Sequence, residues 1–81
     1  MTTLEKLIAV CNAVFEGEIN LDGVKAEDNL RDDVGINSVG MLYMAMALEE
    51  EFAIKFRNED FATIFTVQDV IDCIDRKVAE K

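Results

Sequence analysis

From Ser38 to Phe52 the chain reads Ser-Val-Gly-Met-Leu-Tyr-Met-Ala-Met-Ala-Leu-Glu-Glu-Glu-Phe, and no other segment limits the fold as much. It shows no strand-like alternation and is long enough for a helix of several turns. At about 100° per residue, Val39, Met41, Leu42, Tyr43, Met44, Ala45, Met46, Ala47 and Leu48 surround the axis. A helix apolar on every side should be buried on every side, yet a chain of 81 residues can cover only part of it. Two readings stay open. One face meets a partner protein or an apolar ligand, a task suited to adaptable methionines. Alternatively, the helix is a fully packed centre with methionine filling gaps. Glu49, Glu50 and Glu51 then form an acidic collar on the last turn, where carboxylates oppose the helix dipole, which points to a role other than helix stability.

The remaining elements are also helical. Thr2 and Glu5 have capping-box spacing, so a first helix begins near Thr3. Its stripe is Leu4, Leu7, Ile8, Cys11 and Phe15, with Cys11 a core residue, and Gly17 ends it. Over 16–37 no period persists, and a long loop is expected, pinned by Ile19, Leu21, Val24, Leu30 and Val34. The second helix starts at Ser38, capped by Ser38 or, one residue earlier, by Asn37. A short third helix is expected near 58–64 with Asn58 as cap. Thr66 and Asp69 open the last helix, whose stripe is Val67, Val70, Ile71, Ile74 and Val78. Cys73 falls off that stripe and is expected to be partly exposed. The fold class is all-α: a four-helix bundle with three longer helices, one short third helix and a long first loop, forming one domain over 1–81.

Charge narrows the function. Seventeen acids against eight bases give −9 at pH 7, a field that repels nucleic acid and favours basic partners, and that also serves solubility. Salt or magnesium should therefore raise the melting temperature by relieving self-repulsion. A melting temperature that does not vary with ionic strength would count against that account. The chain lacks His, the commonest general base and transition-metal ligand, and Cys11 and Cys73 have no metal-ligand or CxxC spacing. No metal site is expected. No apolar run reaches membrane-spanning length and the first residues do not read as a signal peptide, so the expected compartment is the cytoplasm, with no integral membrane association. Glu18, Asn20, Asp22 and Gly23 look like the first half of a calcium loop. However, Asn29 occupies the twelfth position in place of the bidentate Glu, and the segment that follows is a poor exiting helix.

The run Asp33-Val34-Gly35-Ile36-Asn37-Ser38-Val39, followed by Ala45-Met46-Ala47-Leu48-Glu49-Glu50-Glu51-Phe52, resembles the acyl carrier protein family, with its aliphatic-Gly-x-Asp-Ser-Leu signature and Leu-Glu-Glu-Glu-Phe ending. Leu30 to Val34, and Ile64, Thr66 and Val67, extend the likeness over nearly the whole chain, most weakly over 16–29. The resemblance implies a non-enzymatic carrier, a monomer, whose Ser38 bears a covalent 4′-phosphopantetheine. A separate phosphopantetheinyl transferase would install that arm from coenzyme A. The arm would hold acyl groups as thioesters and present them to fatty-acid, polyketide or related synthases with basic docking patches. The docking residues so implied are Asn37, Val39, Met41, Leu42, Tyr43, Met46, Glu49 and Glu50. A helix start also offers free N–H groups and positive potential to a phosphodiester, and Gly35 allows the backbone to approach and turn. With no histidine to activate Ser38 and no GxSxG motif, catalysis by this chain is not expected.

Departures from the family pattern suggest a specialised carrier. Asn37 replaces Asp, Val39 replaces Leu, Gly40 and Tyr43 stand where acids are common, and Arg57 stands where many members have Pro. An acyl chain entering the bundle would meet Met44, Met46, Leu48, Phe52, Ile64 and Val70, although these six read equally as plain core. A D-alanyl or peptidyl carrier, or an unmodified acidic helical interaction protein, remains the alternative.

Overall fold

The computed structural model describes residues 2–16 and 23–80. The described residues form four α-helices, α1 (Thr3–Phe15), α2 (Ser38–Phe52), α3 (Asn58–Phe61) and α4 (Val67–Ala79), with a five-residue π-helical turn (Leu30–Val34) before α2. There is no strand among the described residues, only an isolated bridge between Asn29 and Thr66. The expected all-α bundle is present.

Local chemistry sets the helix ends. Thr2 Oγ1 accepts from Glu5 N–H and Glu5 Oε1 accepts from Thr2 N–H, both at 3.1 Å. Thr66 and Asp69 do the same for α4 at 3.2 and 3.0 Å, and Asp69 also accepts from Phe65 N–H at 2.9 Å. These N–H bonds hold the Asp69 carboxyl below the usual carboxylate range. α1 closes on Glu16 in the left-handed region (φ 50°), and Gly17 lies outside the described residues. α3 is shorter than expected, ends at Phe61, and has Arg57 rather than Asn58 at its cap position. Its N-terminal donor, Arg57 N–H, bonds the Asp60 carboxylate at 2.7 Å.

The stretch before α2 is built rather than loose. Asn29 Oδ1 accepts from the N–H groups of Arg31 and Asp32, each at 2.9 Å, while Asp33 Oδ2 accepts from Asn29 N–H at 2.8 Å. Leu30 and Val34 are buried and Val24 packs against the core, as expected of pins; Ile19 and Leu21 lie outside the described residues. Backbone bonds from Leu30 N–H to Phe65 O (2.9 Å), Val67 N–H to Asp28 O (3.0 Å) and Gln68 N–H to Ala26 O (2.7 Å) stitch this stretch to the start of α4. The residues leading into α2 thus have a fixed anchor.

The core joins Leu7 and Cys11 of α1, Leu30, Val34 and Ile36, Met44 and Leu48 of α2, Ile54 and Ile64, and Val67, Val70, Cys73 and Ile74 of α4. Burial pushes the Cys11 thiol up to about 11, in keeping with a packing role. Cys73 is also buried, contrary to expectation. It follows Val70 by three residues, at the edge of the stripe, and Arg76 Nη2 lies 3.8 Å from its sulfur. Val78, assigned to the stripe, is exposed, because α4 runs on past the core.

Gly40 is a packing residue. A Cβ there would sit 3.1 Å from Ile36 Cγ2, 3.1 Å from Phe15 Cε1 and 3.3 Å from Asn37 Oδ1. The lost acid at this position is therefore explained by the close approach of α1 to α2. In an open helix Gly→Ala gains up to about 1 kcal/mol, whereas overpacking costs about 1–3 kcal/mol. Gly40→Ala should accordingly lower stability by about 1 kcal/mol in urea unfolding, and a higher midpoint would refute the packing account.

Candidate functional site at the start of α2

Ser38 is the first residue of α2, and the cap is its neighbour. Asn37 has extended backbone and its Oδ1 accepts from Gly40 N–H at 2.7 Å. The Ser38 hydroxyl, released from capping, is exposed and accepts one hydrogen bond, from Arg31 Nη2 at 3.2 Å. Gly35, three residues before it, has φ 93°, and a Cβ there would meet nothing within 4 Å. The left-handed turn into α2 is what requires glycine here. The N–H groups of Ser38 and Val39 point out of the first turn with no protein partner among the described residues, as helix geometry dictates.

Beside Ser38 opens a cleft of about 540 Å³ between the π-helical turn, α2 and α3. Its apolar wall is Leu30, Ile36, Met41, Leu42, Phe61, Ile64 and Phe65, and its polar rim includes Arg31, Asp32, Ser38 and Asn58. The void bordered by α1, Met44 and Val67 has a volume of only ≈ 10 Å³, too small for a hydrocarbon chain. Of the six residues expected to surround an acyl chain, only Ile64 lines the cleft. Met44, Leu48 and Val70 are closed core, Phe52 is half-buried, and Met46 is 62% exposed. Met46 points outward because it shares a helical face with Val39, Leu42 and Tyr43, at i, i+3, i+4 and i+7.

The implied docking residues divide accordingly. Asn37, Val39, Leu42, Tyr43, Met46 and Glu50 are exposed along α2, while Met41 is half-buried at the cleft. Glu49 is half-buried and its Oε2 accepts from Phe56 N–H at 2.8 Å, tying the chain after α2 back to the helix. The acid that opposes the dipole therefore has a local structural task. Arg31 escaped the sequence reading: it lies seven positions before Ser38, across a turn that no periodicity announces. The calcium reading finds no support at Asn29, whose side-chain oxygen is engaged by two backbone N–H groups; Glu18, Asn20 and Asp22 lie outside the described residues. Among the described residues no cluster of His, Cys, Asp and Glu could hold a metal ion, and no helix is long and apolar enough to cross a membrane.

The family model described as phosphopantetheine attachment site matches residues 5–74, most of the chain. The chain belongs to the acyl carrier protein family. An acyl carrier protein from Campylobacter jejuni is 33% identical over 93% of this chain and 95% of its own length. One from Bdellovibrio bacteriovorus is 39% identical over 73% of this chain and 76% of its own length. Among solved structures, holo acyl carrier protein from Geobacter metallireducens superposes with a TM-score of 0.82 at 25% identity, covering 99% of this chain and 90% of its own. That from Thermotoga maritima gives 0.78 at 30% identity, covering 96% and 93%. This acyl carrier protein holds acyl intermediates, and its prosthetic group is phosphopantetheine. The start of α2 suits such a group. An exposed hydroxyl, open N–H groups and the Arg31 guanidinium beside it suit a phosphodiester, and the adjoining apolar cleft suits the chain beyond it.

Proposed function

We propose that Ser38 Oγ is the attachment point of the arm. One observation carries this reading: Asn37 caps α2, leaving a neighbouring hydroxyl exposed at the positive end of a helix with a single side-chain partner. In loading, the Ser38 Oγ–P bond forms and the phosphoanhydride bond of coenzyme A breaks. Adenosine bisphosphate leaves, and the hydroxyl proton passes to a base on the transferase. The bound arm supplies a thiol for thioester exchange. The protein's own residues present that arm and leave the chemistry to partner enzymes, so the chain is a carrier without catalytic activity of its own. It acts as a monomer in the cytoplasm, and residues 1–81 serve as one carrier domain.

The outward face of α2 supports a reading of the partners. Val39, Leu42, Tyr43 and Met46 are each more than half exposed, with Glu50 and Glu51 beyond them. An apolar centre with an acidic end fits a partner groove with a basic rim, giving weak, salt-sensitive, fast exchange. No charge interrupts α2 from Val39 to Leu48, which favours a dedicated partner set over general fatty-acid synthesis. Turnover by housekeeping synthases equal to that of a general carrier would defeat this second reading.

The attachment is tested by incubating the protein with coenzyme A and a broad-specificity phosphopantetheinyl transferase. Intact mass should rise by one phosphopantetheine, located by peptide mapping on Ser38. An unchanged mass, or a modification elsewhere, overturns the assignment and favours an unmodified interaction protein.

A further inference from the structure

Among the described residues Arg31 has no carboxylate partner, although two acids follow it directly. Among the described residues, the ion pairs are Arg57 with Glu59, and Arg76 and Lys77 with Asp60. Asp33 is turned away, its carboxylate taken by Asn29 N–H at 2.8 Å. Asp32 shares the cleft rim with Arg31, yet the guanidinium reaches past it to Ser38 Oγ at 3.2 Å. The π-helical turn holds it there. Arg31 N–H bonds Asn29 Oδ1 at 2.9 Å, and Leu30 beside it is buried and bonded through its N–H to Phe65 O at 2.9 Å. Among the described residues Arg31 is also the only cation on the rim of this cleft.

A cation parked on an uncharged hydroxyl gains little from it. A phosphodiester on that oxygen changes the balance, because its two non-bridging oxygens carry the charge and the acceptor geometry that a guanidinium fork matches. We propose that Arg31 is a positioning residue for the arm: it binds the phosphodiester on Ser38 and lays the first part of phosphopantetheine along the cleft walled by Met41, Leu42, Phe61 and Phe65. The inference rests on the reading that Ser38 carries the arm. It assigns to this chain a phosphate contact in addition to the N–H groups of the α2 start, and it accounts for a positive side chain beside Ser38 in an acidic protein.

The test uses apo and holo protein with labelled arginine, followed by ¹H–¹⁵N and ³¹P NMR, with intact mass recorded on the same samples. In wild-type protein, loading should shift the Arg31 side-chain N–H signals and slow their exchange with water roughly two- to fivefold, the protection expected of an exposed charge pair. The ³¹P resonance of holo Arg31→Gln should move from the wild-type position toward that of an unstructured phosphopantetheinyl-serine peptide, whereas holo Arg31→Lys should fall between wild type and Arg31→Gln. Arg31 is exposed, so both variants should fold, which circular dichroism checks. A mass gain with Arg31 signals unchanged on loading, or with one ³¹P resonance common to wild type and Arg31→Gln, overturns the phosphate contact and leaves the attachment intact. A missing mass gain instead removes the attachment reading, and the contact with it.

Discussion

Ser38→Ala should show no phosphopantetheine mass gain under conditions that load the wild-type protein completely, and should unfold at the same temperature. The loss is absolute because the substitution removes the oxygen to which phosphorus must bond. The unchanged stability follows from the geometry. The hydroxyl is exposed, caps nothing, and accepts a single bond from an exposed arginine, so its removal falls within about 0.5 kcal/mol of neutral. Asn37→Ala provides the converse. It removes the acceptor of Gly40 N–H at 2.7 Å, costs about 1 kcal/mol as a lost cap, and leaves the nucleophile in place. Loading lost in one variant and stability in the other would separate the two tasks of these adjacent residues. A Ser38→Ala protein that melts well below wild type would show that the serine is part of the cap after all.

That division of labour was only half legible in the sequence. Capping boxes at Thr2–Glu5 and Thr66–Asp69 could be read directly, because donor and acceptor are three residues apart and the code is local. The apolar run of α2 could be read as a helix too wide for its bundle, and its surplus is the exposed face at Val39, Leu42, Tyr43 and Met46. Asn37 and Ser38 are both good caps, and only the backbone distinguishes them. The π-helical turn was hidden because five residues with two apolar positions carry no period. Cys73, Met46 and Arg31 depended on what lies across from them: the edge of a stripe, the direction of a helix face, and a turn bringing position 31 to position 38. Gly40 looked like a missing acid until Phe15 and Ile36 were seen against it.

Asp60→Ala should lower stability by about 2–3 kcal/mol, from the cost of breaking a buried ion pair discounted for its exposed arginine. In a domain of this size that is about 10–20 °C in melting temperature. The carboxylate is 7% exposed. It accepts from Arg57 N–H at 2.7 Å and lies 2.9 Å from Lys77 Nζ and 3.4 Å from Arg76 Nη2. Lys77 is itself largely covered and stands 5.8 Å from the centre of the Phe56 ring, so removing Asp60 leaves an ammonium and an N–H short of a partner. Burial raises the Asp60 carboxyl, but the Arg57 N–H, the Lys77 hydrogen bond and the charges of Lys77 and Arg76 together hold it below the usual carboxylate range. A depressed folded-state value stabilises above the unfolded value, about pH 4, and that contribution disappears as pH falls through the folded value. The gap between wild type and Asp60→Ala, measured by thermal melts, should therefore be full at pH 7 and shrink below about pH 4. A gap constant with pH would mean that Asp60 acts by shape rather than charge. The consequence reaches the cleft, because α3 spans only Asn58–Phe61 and is too short to stand alone. Asp60 is its tie to α4, and Asn58 and Phe61 form part of the cleft beside Ser38. If the cleft shelters the thioester end of the arm, loosening that tie should expose it, and thioester hydrolysis on loaded Asp60→Ala should run faster than on wild type at a temperature where both are folded.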